Sequence, residues 1–154
     1  MVGLSRREFA LGAGATSLGL LAGCGRLPWQ AQAPANVPRI GYLAGLTSAA
    51  GHPNVEGFRQ GLREHGYLEG ENIIVEYRWA DGQQERLPGL ATELAHLPVD
   101  VIIAARGATA VAAKEATNTV PVVFAGVDDP VGLGLVASLG RPGGNVTGVT
   151  SGVA

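Results

Sequence analysis

The stretch from Val99 to Gly148 constrains the fold of this chain most strongly, because apolar strands alternate there with short helices. The pattern predicts strands at Val99–Ala105 and Pro121–Ala125 and helices at Ala110–Thr117 and Gly132–Leu139. Continuous apolar strands joined by helices form parallel sheets that are covered on both faces. Such sheets bind ligands beyond the carboxyl ends of their strands, against helix N-termini. A binding site is therefore expected in the turns that follow these two strands.

The chain before this stretch adds two further strand–helix units. Arg39–Ala44 is the first predicted strand, and the apolar stripe of the next helix ends before Gly66, which suits the left-handed residue after a helix. The segment from Ile73 to Trp79 alternates like an edge strand, and the helix after it ends at Pro98. Four units predict one Rossmann-like, flavodoxin-like α/β sheet with helices on both faces and strand order 2-1-3-4.

Composition and motifs exclude several classes of function. A net charge of −2 and an aromatic content of 5% do not suit a nucleic-acid partner. One cysteine and three scattered histidines (His52, His65 and His96) form no metal-ligand pattern, so no metal is predicted and surface positions are expected for the histidines. The first strand is followed by no dinucleotide fingerprint, and neither a phosphate loop nor a nucleophile elbow occurs. We predict no enzyme, no catalytic residue and no cofactor.

Residues 1–23 are predicted to be an export signal peptide. Ser5-Arg6-Arg7-Glu8-Phe9 precedes a glycine-rich apolar run, which is typical of export signals and too short and too rich in glycine and alanine for a transmembrane helix. The paired arginines favour a twin-arginine signal, and the alternative is an ordinary secretory signal.

A lipobox-like segment follows in Leu21-Ala22-Gly23-Cys24, with the only cysteine at the position that becomes lipidated. This predicts lipidation of Cys24 and a membrane anchor. The alternative is cleavage after Ala31-Gln32-Ala33, which would discard the cysteine. Residues 24–37 are predicted to be a flexible tether, and residues 38–154 an α/β lobe.

Two turns in the lobe carry residues suited to an amino-acid-like ligand. Arg106-Gly107-Ala108-Thr109 leads into a helix whose free N–H groups favour a carboxylate, although Thr109 alternatively serves only as a helix cap. Asp128-Asp129-Pro130 places two carboxylates where an ammonium group would bind. The structural alternative there is that Asp129 caps a helix beginning near Val131.

Several motifs together resemble the ABC transporter substrate-binding protein family with tryptophan- and tyrosine-binding members. They cover the chain from about Arg39 onward. The matching stretches are Gly57-Phe58-Arg59-Gln60-Gly61-Leu62, Gly66-Tyr67-x-Glu69-Gly70-x-Asn72, Glu76-Tyr77-Arg78-Trp79-Ala80-x-Gly82, Arg86-Leu87-Pro88, Pro121-Val122-Val123-Phe124, Asp129-Pro130-Val131-x-Leu133-Gly134-Leu135-Val136-x-Ser138-Leu139 and Arg141-Pro142-Gly143-Gly144-Asn145-Val146-Thr147-Gly148.

The resemblance implies a two-lobed protein related to type I periplasmic binding proteins, with the ligand between the lobes. It implies ligand-facing loops at Leu46-Thr47-Ser48, Gly107-Ala108-Thr109 and Val127-Asp128-Asp129. Family members often carry Gly-Gly-Thr in the second loop, where this chain has Gly107-Ala108-Thr109 after a bulky Arg106. The sequence matches the first lobe, and the second lobe is expected to be absent.

The function implied by the resemblance is solute binding for a bacterial ABC importer, with an aromatic or related amino acid as ligand. The implied partners are an ABC permease and, through the lipid anchor, the membrane. An exported protein in the periplasm or at the cell surface is therefore expected. The alternatives are a ligand-sensing lobe for a receptor or regulator, and a flavodoxin-like enzyme.

Overall fold

A computed structural model describes residues 37–47 and 53–152 of the chain. The predicted signal peptide, most of the tether, Cys24, Ser48 and His52 lie outside the described residues. The elements along the described chain are β1 (Arg39–Ala44), α1 (Pro53–Glu64), β2 (Ile74–Trp79), α2 (Leu87–His96), β3 (Val101–Ala105), α3 (Gly107–Ala116), β4 (Val122–Val127) and β5 (Val146–Thr150), with a short 3₁₀ turn at Gln84–Arg86 before α2.

The strands form one parallel sheet in the order β2-β1-β3-β4-β5. The predicted order 2-1-3-4 is therefore confirmed for the first four strands. The fifth strand was not predicted, because a glycine interrupts its short apolar run at Gly148. Asn145, just before this strand, fixes it to the connection between α3 and β4, because its side-chain amide donates to the carbonyls of Thr117 (3.2 Å) and Val120 (2.8 Å).

Helices cover both faces of the sheet, as predicted. On one face, α2 and α3 pack through Leu94 and Ala110 against Ile102 and other buried strand residues. On the other face, Val55 of α1 packs with Tyr42 of β1 and the aromatic side chains of β2. Burial on both faces accounts for the continuous apolar sequence of β3, the central strand.

The turn between α1 and β2 explains one of the sequence motifs in physical terms. Gly66 has φ +80° and follows the end of α1, as predicted. Asn72 holds the turn together, since its side chain accepts from the N–H of Leu68 (2.6 Å) and donates to the carbonyl of Gly66 (2.8 Å). The turn is further joined to β2 by Glu69, which accepts a hydrogen bond from the Tyr77 hydroxyl at 3.1 Å.

The helix predicted at Gly132–Leu139 is wrong, because this segment forms a series of turns. Asp129 Oδ1 accepts the N–H of Gly132 at 2.7 Å, so the predicted capping bond exists but closes a turn. Gly134 then adopts φ +66°, which no helix continues through. Leu135 and Val136 are buried while Leu133 and Leu139 are exposed, so the apolar spacing does not mark one helical face.

Several predicted boundaries also differ from the observed ones. Strand β4 runs from Val122 to Val127 and not from Pro121 to Ala125, so Val127 belongs to the strand and not to the loop after it. Helix α3 begins at Gly107 and not at Ala110, so Gly107-Ala108-Thr109 is the first helical turn and not a loop. Strand β3 begins at Val101 and not at Val99, and the N–H of Asp100, just before it, donates to the carbonyl of Arg39 at 2.8 Å. In the described part of the chain, no helix is long and apolar enough to cross a membrane.

Candidate functional site

Two adjoining concavities lie at the carboxyl edge of the sheet. The first, here called the apolar cavity, has a volume of about 170 Å³ and is lined by residues that include Tyr42, Val55 and Trp79. The second, here called the charged depression, is lined by residues that include Asp128 and Asp129. Arg106 lines both concavities. This edge is where parallel α/β sheets bind their ligands.

Aromatic side chains form the wall of the apolar cavity. The Trp79 ring stacks on Tyr77, with centroids 5.6 Å apart and an interplanar angle of 6°. Tyr42 contacts three rings, with centroid distances of 5.1 Å to Phe58, 5.5 Å to Tyr77 and 6.0 Å to Trp79. The contacts with Tyr42 and Tyr77 restrict the orientation of the Trp79 ring, which lines the cavity.

The N-terminus of α3 lies beside both concavities. The first N–H groups of a helix have no partner within it, so those of the Gly107-Ala108-Thr109 turn can receive an anion. Thr109 is 1% exposed, and its hydroxyl lies 2.8 Å from the carbonyls of both Ala105 and Arg106. Thr109 is therefore not the cap that the sequence suggested, since its hydroxyl donates backward to carbonyl oxygens and leaves the N–H groups open.

The two aspartates at the charged depression are each held by a neighbour. Asp128 Oδ1 accepts the hydroxyl of Ser151 at 2.6 Å, and Asp129 Oδ1 accepts the N–H of Gly132. Both residues are exposed, and within the described residues no basic side chain pairs with either carboxylate. Their negative charges are thus fixed in place and open to a cation.

The structure distributes the predicted site residues over the two concavities. Leu46, Ala108 and Thr109 line the apolar cavity, and Gly107, Val127, Asp128 and Asp129 line the charged depression. Thr47 is exposed and lines neither concavity, and Ser48 lies outside the described residues. Val127 is 1% exposed, so its side chain belongs to the core.

The sequence did not single out Tyr42 or Trp79 as lining residues, and it placed Arg106 in the predicted turn without giving it a role in binding. Their signal was present only indirectly. Tyr42 and Trp79 lie on two strands that pair in parallel register, with Tyr42 opposite Tyr77 and Ala44 opposite Trp79. That pairing places both rings on the same face of the sheet. It cannot be inferred from the sequence until the order of the strands is known.

No three histidine, cysteine, aspartate or glutamate side chains of residues 37–47 and 53–152 lie close enough together to hold a metal ion. His65 and His96 are exposed, as predicted, and each has Nδ1 within 2.8 Å of the carbonyl one helical turn before it.

The buried tyrosines predict a loss of stability at alkaline pH. Burial raises the pKa of Tyr42 above its ordinary value of 10.0, and burial is also the main cause of the raised pKa of Tyr77. In the unfolded chain these tyrosines ionise at lower pH than in the folded chain. The folded state therefore keeps its full stability below the pKa of the unfolded tyrosines and loses stability as the pH rises from there through the pKa of the folded ones. We expect the free energy of unfolding, measured with urea, to fall from pH 10 upward.

Tyr42→Phe is the matched variant for this measurement. It should keep the stability of the wild-type chain near neutral pH and fall less steeply above pH 10, because one of the late-ionising groups is removed. Parallel curves for the two chains above pH 10 would contradict this assignment.

Comparisons with known proteins identify the fold and the family. Solved structures that are 30–33% identical share the lobe, so the fold is that of a substrate-binding protein lobe. The family model described as ABC transporter substrate binding protein matches residues 42–153. The chain belongs to this family. Its members are binding proteins, and they typically act outside the cytoplasm.

Three relatives illustrate the likeness. The tyrosine-binding protein of Clostridioides difficile (strain R20291) is 34% identical over 110 residues, which are 69% of this chain and 32% of that protein. The ligand-free, open structure of a substrate binding protein with adhesive properties from Clostridium difficile has a TM-score of 0.69 at 32% identity, over 77% of this chain and 40% of that one. An ABC domain in complex with L-Trp from Streptococcus pneumonia has a TM-score of 0.67 at 30% identity, over 73% and 38%.

The chain thus spans about a third of the length of the curated relative that it matches.

Proposed function

We propose that the chain is the first lobe of the solute-binding component of a bacterial ABC importer, and that it binds an aromatic or related amino acid. The ligand's carboxylate lies at the N-terminus of α3, and its ammonium group lies near Asp128 and Asp129. Its side chain enters the apolar cavity beside Trp79. A second lobe of the complete protein closes over the ligand by hinge motion.

The observation that carries this proposal is the adjacency of the two concavities. An amino acid has an anionic end, a cationic end and a side chain, and this edge of the sheet offers a complementary group to each. The apolar cavity alone, at about 170 Å³, is smaller than the roughly 300–1,000 Å³ of ordinary small-molecule sites. A cavity of this size suits one wall of a site that a second lobe completes.

The relatives support the proposed ligand class. One curated relative is named a tyrosine-binding protein, and one solved relative was crystallised with L-Trp. The aromatic wall of Tyr42 and Trp79 suits a flat apolar side chain of the same kind.

The proposal extends to location and partners on the strength of the N-terminal sequence. The twin-arginine-like signal exports the protein, lipidation of Cys24 anchors it at the membrane, and residues 24–37 form the tether to the lobe. An ABC permease is then the partner that receives the ligand.

Replacing both aspartates with asparagine tests the ammonium contact. Asp128→Asn with Asp129→Asn keeps acceptors for Ser151 and Gly132 but removes two negative charges. We expect L-tryptophan to bind about tenfold more weakly, because a charge-assisted hydrogen bond becomes a neutral one. Affinity is measured by NMR titration of the ¹⁵N-labelled 154-residue chain.

Asp100→Asn is the matched control, since Asp100 accepts the N–H of Arg39 at the opposite end of the strands. It should leave the affinity for L-tryptophan unchanged. Unchanged affinity in the Asp128/Asp129 double variant would remove the ammonium contact from the proposal.

A further inference from the structure

The backbone of Arg106 adopts a conformation that suits glycine and not arginine. Its φ is +86° and its ψ is 167°, at the junction between β3 and α3. Residues with side chains rarely adopt this region, which is almost exclusive to glycine. The only other described non-glycine residue with positive φ is Asp81, at +54°, in the left-handed region that aspartate tolerates.

Hydrogen bonds on both sides of Arg106 fix this conformation. Its N–H donates to the carbonyl of Ala125 at 3.0 Å, and its own carbonyl accepts the N–H of Ala110 at 3.1 Å. The Thr109 hydroxyl lies 2.8 Å from the same carbonyl. Because all of these bonds use backbone atoms of residue 106, glycine would make them equally well and without strain. The feature that arginine adds at this junction is its guanidinium.

Arg106 is exposed and lines both the apolar cavity and the charged depression. Arg39, Arg59, Arg78 and Arg86 each pair with a carboxylate. Within residues 37–47 and 53–152, the side chains of Arg63, Arg106 and Arg141 make no hydrogen bond or ion pair, and of these three only Arg106 lines a concavity. Asp128 and Asp129 line the same depression, yet neither is paired with it, so a cation and two anions stand apart around one concavity.

We infer that Arg106 is a specificity-determining residue that holds the free carboxylate of the ligand, together with the first N–H groups of α3. The inference rests on the proposed function and deepens it, since it restricts the ligand to molecules that keep a free carboxylate. A zwitterion between Arg106 and the aspartates would turn its carboxylate toward the guanidinium and its ammonium group toward Asp128 and Asp129, so that each charge meets one of opposite sign. Guanidinium and carboxylate form paired, directional hydrogen bonds, which makes the contact selective.

The test compares L-tryptophan with L-tryptophanamide, which keeps the ring and the ammonium group but lacks the carboxylate. NMR titration of the ¹⁵N-labelled 154-residue chain measures both affinities in the wild type and in Arg106→Gly. We expect the wild type to prefer the acid by about tenfold and the variant to lose most of that preference. Arg106→Gly should unfold at the same or a higher temperature, because glycine relieves the strain.

Arg141→Gln is the control, because it removes a positive charge from an exposed loop that lines neither concavity. It should keep the preference for the acid. Equal binding of acid and amide by the wild type, or an unchanged preference in Arg106→Gly, would overturn the role of Arg106 and leave the proposed function standing. Absence of binding of either compound by the wild type would overturn the proposed function and this inference with it.

Discussion

Gly148→Ala is expected to lower the free energy of unfolding by about 2–3 kcal/mol, at the upper end of the range for overpacking. Gly148 lies opposite Phe124 in the parallel pairing of β4 and β5. A Cβ at Gly148 would meet the backbone carbonyl of Phe124 and its ring. Neither atom group can give way easily, since the carbonyl belongs to the sheet and Phe124 is 2% exposed. Urea unfolding of the chain, followed by circular dichroism, measures the change.

Gly144→Ala is the control for the same segment. Nothing lies within 4 Å of a Cβ built there, so the free energy of unfolding should change by less than about 0.5 kcal/mol. Equal stability of Gly148→Ala and Gly144→Ala would show that β5 does not approach β4 as closely as described.

Trp79→Ala is expected to weaken the binding of L-tryptophan by about 30-fold, the loss typical of a central aromatic contact. The side chain lines the apolar cavity and is held by stacking on Tyr77 and by contact with Tyr42. Its removal takes away a preorganised flat surface and widens the cavity. NMR titration at a temperature well below the unfolding midpoint of the variant gives the affinity.

Trp79→Phe distinguishes the effect of losing an aromatic ring from the effect of changing the shape of the cavity. Phenylalanine keeps a flat ring in the stack, so most of the affinity should remain. L-alanine, which has no ring to place against residue 79, should bind equally to the wild type and to both variants. A loss for L-alanine as large as that for L-tryptophan would place Trp79 in a general structural role.

The sheet could be predicted from the sequence because its signals are local. Continuous apolar runs mark β3 and β4, alternation marks β2, and the covered faces follow from the helical stripes. The segment after β4 could not be predicted in the same way. Its apolar residues are spaced like a helix, but Asp129 and Gly134 turn the chain, and which of its leucines are buried depends on tertiary packing.

The site could be predicted only in part, for a related reason. Turns that follow apolar strands identify Gly107, Ala108 and the two aspartates, because the carboxyl ends of parallel strands meet at one edge. Tyr42 and Trp79 look like ordinary strand residues in the sequence. Their place at the cavity depends on the pairing of β1 with β2. The unusual conformation of Arg106 is likewise set by bonds to Ala125 and Ala110, which no sequence pattern reveals.

Titration of the ¹⁵N-labelled 154-residue chain with L-tryptophan tests most directly whether the carboxyl edge of the sheet binds an amino acid. Under the proposed function we expect a dissociation constant of the order of 1 mM, because a cavity of about 170 Å³ encloses only part of the ligand. We predict that the backbone resonances of Gly45, Gly107, Ala108 and Asp128 shift in proportion to saturation. Shifts confined to the opposite edge, around Asp100 and Asn72, or no shifts at all, would contradict this account.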